Sequence, residues 1–504
     1  MTTTTSSQAH PETPPRKNQL IPMLLGPLLG LGLFFLLPDT LETPGKAVAA
    51  CALWMALWWI TEPVPIPVTS LLPIVLFPLF GMGTLQEVAS PYANSVIFLV
   101  LGGVLLGLAT EKSNLHIRIA LLTVRLVGTK PSQIVLGLMI ASAFISAWVS
   151  NTATAVIMVP IASSILHLVR SVDKDAGGTK FAASLLLGVA YGVTIGSTAT
   201  PIGQPPMALM KAFLLETYDF DLSFGRWMLV GVPWAIVMVV LAWLVLTKFV
   251  YRPEVDEIPG GKQLIANEIA KLGPMSTAEK RVAAVFSAAI IFWVVVPFIS
   301  EIPVVAEYVP WLASLSDAQI AVAAAILCFI VPNGETGGER AYSRLLQWPD
   351  AKEVPWGLLL LFGGGLSLSA MFTQTGFSEW VGEQVAGLAN LPAWAIILIV
   401  MVVSLALTEL TSNTATAAAF FPIFGAVAVG VGIDPLVMTI VVTLSVCSAF
   451  MLPVATPSNA VAFGSGDITI KQMVRAGVWM NLVALVLIMI VMYTLVPLVF
   501  GVSI

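Results

Sequence analysis

Charge is what this chain has least of. Asp, Glu, Lys and Arg make up 10% of its 504 residues, against about a quarter in soluble globular proteins. That scarcity excludes a water-soluble domain, and the mean hydropathy of +0.94 agrees. Cysteine is nearly absent. Cys51, Cys328 and Cys447 stand singly in apolar surroundings, which excludes a disulfide framework or a thiolate metal site. His10, His116 and His167 are equally isolated. No apolar segment carries paired carboxylates, an HExxH motif or a Ser/His/Asp set, which argues against an integral membrane enzyme. The net charge of −5 says little about partners in such a chain, and no nucleic acid is expected among them.

What the chain does have is apolar length. Runs of about 20 apolar residues read as membrane-spanning helices. They fall near 19–38, 46–61, 65–84, 92–111, 181–210, 227–248, 282–300, 317–332, 355–373, 435–466 and 474–500. The expected fold is therefore all-α and polytopic, with about eleven transmembrane helices. Residues 1–18 read as a disordered cytoplasmic tail. Arg16 and Lys17 precede an apolar run as in a signal peptide, but that run flows into a polytopic chain, so a retained first span is expected.

Two apolar segments remain, 131–169 and 392–433. The first has no acidic or basic side chain, and the second has only Glu409. Each is too long for one helix at about 1.5 Å rise per residue. Each is also cut by the string SNTAT, at 150–154 and 412–416, into halves marginal for two crossings and a turn. A re-entrant helical hairpin, entering and leaving on one side, fits both. With the N-terminus cytoplasmic, this topology puts every basic residue except Lys46, Lys211 and Arg226 on the cytoplasmic side, as the positive-inside bias requires. The C-terminus then lies outside.

Shifting the chain by 262 residues lays Gly102-Gly103 on Gly364-Gly365, SNTAT on SNTAT and Pro160 on Pro422. An odd number of crossings separates the matched spans, so the halves read as inverted repeats, a pattern of secondary transporters. Repeat 1 lies within 19–250, with hairpin 131–169 and a broken helix at 181–210. The charged stretch 251–281 reads as a cytoplasmic linker. Repeat 2 spans 282–504, with hairpin 392–433 and a broken helix at 435–466. The second breaks are GSTATPIGQPP at 196–206 and LPVATPSNAVAFG at 452–464.

Ser, Asn and Thr favour helix N-caps, where a side-chain oxygen accepts a backbone N–H. SNT at a hairpin tip starts the returning helix with its positive dipole end near mid-membrane. Thr456-Pro457 carries a similar start signal, with Thr as cap and Pro at the first helical position. Thr200-Pro201 is less clean, because Pro205 and Pro206 compete for the start. Up to four helix N-termini then converge on one cavity, which suits an anion held by hydroxyls, amides and N–H groups. Unwound carbonyls and hydroxyls beside it suit Na⁺, and co-bound cations reduce the cost of a dianion in the bilayer. The Gly pairs read as close helix packing or a flexible hinge rather than ligand contacts. Residues 115–126, with Arg118 and Arg125 opposite Leu115, Ile119, Leu122 and Leu126, read as an amphipathic helix on the cytoplasmic surface. Glu409 reads as a structural hydrogen-bonding partner within its hairpin.

These features resemble the divalent anion:sodium symporters, the INDY-like transporters of Krebs-cycle di- and tricarboxylates. The paired SNT tips and Thr-Pro breaks carry the resemblance, with EKSNLHIRIAL at 111–121 and SAFMLPVATPSNAVAFG at 448–464. It implies a homodimer in the inner membrane, each protomer with a scaffold domain and an elevator-type transport domain. It implies two or more co-transported Na⁺, one held by Ser150, Asn151 and Gly196, another by Thr411, Asn413 and Ala455. Substrate carboxylates would meet Ser150, Asn151 and Thr152 on one side and Ser412, Asn413 and Thr414 on the other. Ser197, Thr200, Thr456 and Pro457 would complete the wall. Met207 departs from the Asn expected after the double Pro. Thr414 favours C4-dicarboxylates such as succinate, fumarate and malate over citrate. Sodium-independent exchange, or carriage of citrate or sulfate, is the alternative on the same fold. A channel is disfavoured, because a pore needs no matched pair of polar re-entrant tips.

Overall fold

Helix starts follow the capping chemistry written in the sequence. Ser276 with Glu279, Ser316 with Gln319 and Thr469 with Gln472 each form a capping box. The hydroxyl takes an N–H three residues on, while the Glu or Gln side chain returns to the cap's own N–H. The computed structural model describes residues 20–504 apart from 128–129, 173–178, 254–260, 336–341, 386, 388–389 and 503. The expected tail 1–18 and part of the expected linker, 254–260, lie outside the described residues. So do Lys174 and Arg340 of the charge-bias argument.

The described chain is all-helical, with one isolated antiparallel bridge between Pro332 and Arg344 and no strand among the described residues. Among the described residues, six helices are long and apolar enough to cross a membrane: Leu85–Lys112, Phe224–Val250, Thr277–Ile299, Trp356–Gln374, Asn413–Val431 and Ile470–Phe500. The expected spans 19–38, 181–210, 317–332 and 435–466 hold shorter apolar helices, and 46–61 lies in the helix Thr43–Thr61. The expected span 65–84 is interrupted at Ser70 and Leu71, between Ile66–Thr69 and Leu72–Leu79. Pro73 explains the interruption, since it has no N–H to give the carbonyl four residues back. Large apolar side chains such as Leu28, Phe35, Ile236 and Val486 face outward, as lipid-facing positions do.

Both SNTAT segments are helical hairpins. Pro131–Ser146 and Asn151–Val172 form the first, Ala393–Thr408 and Asn413–Val431 the second, and the two arms of each pack on one another. Two further stretches lie between helices. The first separates Thr179–Gly196 from Pro205–Tyr218, and the second separates Pro435–Val446 from Pro457–Gly464. The two Gly pairs serve close packing: a Cβ on Gly102 would meet the Ala321 backbone at 2.5 Å, and one on Gly364 the Ser70 backbone at 2.4 Å.

Leu115–Val127 is the expected amphipathic helix. Arg118 Nε donates to Glu279 at 2.7 Å, and its guanidinium donates to the carbonyls of Leu272 and Gly273. The linker is not all loop, since Gly261–Leu272 is helical and packs on Leu115–Val127. Its apolar Leu264, Ile265, Ile269 and Leu272 recur at helical spacing, a pattern its charged residues obscured.

Lys211, one of the three basic residues on the wrong side of the charge bias, is 5% exposed. Its ammonium meets Asp221 at 2.8 Å, Asp317 at 2.9 Å and the Leu222 carbonyl at 2.6 Å. Asp317 also accepts the Phe224 N–H at 3.0 Å. Removing one partner of a buried pair strands the other charge. Lys211→Met is therefore expected to destabilise the protein by about 3 kcal/mol, read as a lower midpoint of thermal unfolding in detergent. A further Asp317→Asn should recover part of the loss, and no recovery would show that the pair is not what Lys211 contributes.

Candidate functional site

The first tip turns at residues 147–150, and its return helix begins at Asn151. The Asn151 Oδ1 accepts from Ser146 Oγ at 2.7 Å, and its Nδ2 donates to Ser197 Oγ at 3.3 Å. Ser197 lies on the first break, so the amide ties hairpin to break. The second tip repeats the pattern: Asn413 Oδ1 accepts from Thr408 Oγ1 at 2.6 Å, and Thr408 also reaches the Val446 carbonyl at the end of Pro435–Val446. Each Asn is held in one orientation by a hydroxyl five residues earlier.

The helices bordering the two breaks meet directly. Thr194 Oγ1 lies 2.9 Å from Ser458 Oγ, and Ser458 Oγ lies 3.0 Å from Thr456 Oγ1. Thr456 caps Pro457–Gly464 by accepting the Asn459 N–H at 3.2 Å, as its position before Pro457 predicts. Thr200 does not start a helix. Its hydroxyl donates to the Ala147 carbonyl at the first tip, and the helix begins at Pro205. Two hairpins and two breaks therefore form one polar cluster inside an apolar bundle.

Within that cluster the expected site residues divide by exposure. Ser150, Thr152 and Pro457 are exposed, and Asn151, Ser412 and Asn413 are half-buried. Gly196, Ser197, Thr200, Thr411, Thr414, Ala455 and Thr456 are buried. Ser197 donates its proton to the Thr194 carbonyl, and Thr200 to that of Ala147. As placed, both hydroxyls have lone pairs rather than protons to offer, which suits a cation better than a carboxylate. Thr411 bonds the Leu407 carbonyl and Thr416 within its own hairpin. Gly196 presses on hairpin 1, where a Cβ would meet the Ala143 backbone at 2.1 Å. At the second tip Ser412 makes no side-chain cap bond, so its oxygen leaves the first N–H groups of Asn413–Val431 untaken.

Glu409 binds across to the other element rather than within its hairpin. Its carboxylate accepts the N–H groups of Phe450 at 3.0 Å, Met451 at 3.1 Å and Leu452 at 3.3 Å, and Asn481 Nδ2 at 2.7 Å. It thus fastens the unwound stretch leading to Ala455 and Thr456. In the first half the matching position is Ala147, whose carbonyl serves Thr200 instead. The last Thr of each SNTAT also differs. Thr416 finds Thr411, whereas the position matching Thr411 in the first half is Val149, and Thr154 finds no protein partner among the described residues.

The description "Sodium:sulfate symporter transmembrane region" matches residues 19–502, almost the entire chain. The chain belongs to this family. The family is that of the divalent anion:sodium symporters, so the motifs are carried by a true member, a membrane transporter and not an enzyme. Among curated relatives, "Sodium-dependent dicarboxylate transporter SdcS" of Staphylococcus aureus strain USA300 is 40% identical over 505 residues, covering 99% of this chain and 95% of its own. The same protein of strain MRSA252 matches equally, at 40% over the same coverage. Among solved structures, the YdaH transporter of Alcanivorax borkumensis aligns with TM-score 0.57 at 15% identity, over 96% of this chain and 98% of its own. The Neisseria gonorrhoeae MtrF structure aligns with TM-score 0.55 at 12% identity, over 94% and 93%. At those identities the two structures speak for the symporter's fold alone.

Ser146, Thr408, Thr194 and Ser458 escaped the sequence reading. The first two had a signal: both are hydroxyl residues, both stand five before the tip Asn, and both fall on the same 262-residue shift. Thr194 falls on Thr456 by the same shift, and Ser458 had no such signal.

Proposed function

We propose that this chain is a Na⁺-coupled symporter of C4-dicarboxylates such as succinate, fumarate and malate. It works in the cytoplasmic membrane of the cell by alternating access of elevator type. Two inverted repeats, within 19–250 and 282–504, carry re-entrant hairpins whose tips close on one dianion from opposite sides. The protomer pairs into a homodimer, with the N-terminus cytoplasmic and the C-terminus outside. Two or more Na⁺ accompany the substrate, one near Ser150, Asn151 and Gly196, another near Thr411, Asn413 and Ala455. The substrate carboxylates meet Ser150, Asn151, Thr152, Ser412, Asn413 and Thr414, with Ser197, Thr200, Thr456 and Pro457 behind them.

One observation carries this reading. Each tip Asn is oriented by its own hydroxyl, Ser146 or Thr408, inside a cluster whose ligand-facing groups are neutral hydroxyls and amides. A dianion placed among neutral donors at mid-bilayer needs co-bound cations to offset its charge. The same oxygens that orient the Asn side chains can coordinate those cations, which makes coupling to Na⁺ a chemical consequence of the site. The relatives named for sodium-dependent dicarboxylate transport support the substrate class. The family description, which names sulfate, keeps that anion in the test panel.

Purified protein in proteoliposomes tests the reading. Labelled succinate should enter only with an inward Na⁺ gradient. Unlabelled fumarate and malate should compete, and citrate and sulfate should compete weakly. Uptake that ignores Na⁺ but requires internal dicarboxylate establishes exchange instead, and competition by sulfate alone reassigns the substrate.

A further inference from the structure

Thr194, Ser458 and Thr456 form a buried chain of three hydroxyls that crosses from the first break to the second. Thr194 and Ser458 are fully buried and Thr456 is 3% exposed. The two oxygen–oxygen separations are 2.9 Å and 3.0 Å. Each hydroxyl has one proton and two lone pairs. One lone pair of Thr456 is already filled by the Asn459 N–H. If Ser458 fills the other, Thr456 can no longer receive and its own proton must point out of the chain. In that direction Thr194 donates to Ser458, Ser458 donates to Thr456, and Thr456 donates to whatever lies beyond. In the opposite direction the free proton appears at Thr194 instead. An acceptor beside Thr456 therefore selects the first direction along the whole chain.

We propose that Thr194 and Ser458 are positioning residues that aim the Thr456 proton at a substrate carboxylate and make the two breaks respond to it together. This rests on the transport reading given above. A carboxylate supplies the acceptor that selects the outward direction, and the charge-assisted bond is stronger than a neutral one. Thr194 sits three residues before Ser197, and its carbonyl accepts the Ser197 hydroxyl. Ser197 in turn receives Asn151. A second run, from Asn151 through Ser197 to the Thr194 carbonyl, thus starts at the first tip and joins the hydroxyl chain through the covalent frame of Thr194.

Initial rates of Na⁺-driven succinate uptake in proteoliposomes test it. Thr194→Val keeps the shape and removes the hydroxyl, while Thr194→Ser keeps the hydroxyl. Thr194→Val and Ser458→Ala should each raise the succinate KM about tenfold, the factor expected for one lost hydrogen bond, with the maximal rate within about twofold of the unmutated protein. Thr194→Ser should restore the unmutated KM, and the double variant Thr194→Val with Ser458→Ala should be no worse than either single change, because both break one chain. An unchanged KM in Thr194→Val overturns the relay, as does an impairment in Thr194→Ser equal to that in Thr194→Val. Absence of Na⁺-driven uptake in the unmutated protein overturns the transport reading itself, and the unmutated control separates the two failures.

Discussion

Asn151→Ala and Asn413→Ala are each expected to lower Na⁺-driven succinate uptake by at least about 100-fold while leaving the protein monodisperse. Each amide lies at the first turn of a returning helix and is fixed through its oxygen by Ser146 or Thr408. In the proposed site the same side chain serves a cation with its oxygen and the anion with its nitrogen. Truncation removes both contacts. At about 1.5–3 kcal/mol for a hydrogen bond to a charged group, two such losses exceed the roughly 2.8 kcal/mol that separates two orders of magnitude. Folding should survive, because each Asn is half-buried and its backbone stays within a helix. Initial rates for size-exclusion-purified variants check this. Near-normal uptake in either would place the site elsewhere.

Glu409 should be as sensitive for a different reason. Its carboxylate satisfies the N–H groups of three consecutive residues at the second break and the amide of Asn481. Glu409→Ala leaves those donors buried without acceptors, at about 1–3 kcal/mol each. The expected result is a loss of at least about 3 kcal/mol in stability together with loss of uptake. Glu409→Gln separates the two roles. It keeps the size and one acceptor but presents N–H to N–H where the second oxygen stood, so the protein should fold while uptake falls about tenfold or more. Thermal unfolding in detergent and succinate uptake are measured on the same preparations. A Glu409→Gln variant with unmutated transport would show that holding the break is not needed for function.

Much of the framework was legible in the sequence because it is periodic or local. The two hairpins followed from apolar segments too long for one helix and cut by the same five residues. The Thr456 cap followed from Thr before Pro, which needs no knowledge of the rest of the fold. Other contacts are long-range and lacked such a marker. From sequence Glu409 reads as a partner within its own hairpin, yet its acceptors serve residues 450–452 and 481, a pairing that only packing creates. Thr200 was ambiguous because three prolines follow it. The structure resolves this by spending the Thr200 hydroxyl on Ala147 and starting the helix at Pro205. Ser458 was invisible for a simpler reason, being a single hydroxyl in a chain with many, on an element that meets its partner only in three dimensions. The helix Gly261–Leu272 was hidden by composition, since charge made an amphipathic segment look like loop.

The central claim is that both tips build one site. Succinate binding to purified protein, by isothermal titration with Na⁺ and again with Na⁺ replaced by choline, tests this most directly. One succinate per chain should bind in Na⁺ and none in choline, and Asn151→Ala or Asn413→Ala should each remove all of it. Two succinates per chain, with one surviving in each variant, would contradict the shared site and make each hairpin a binding unit of its own.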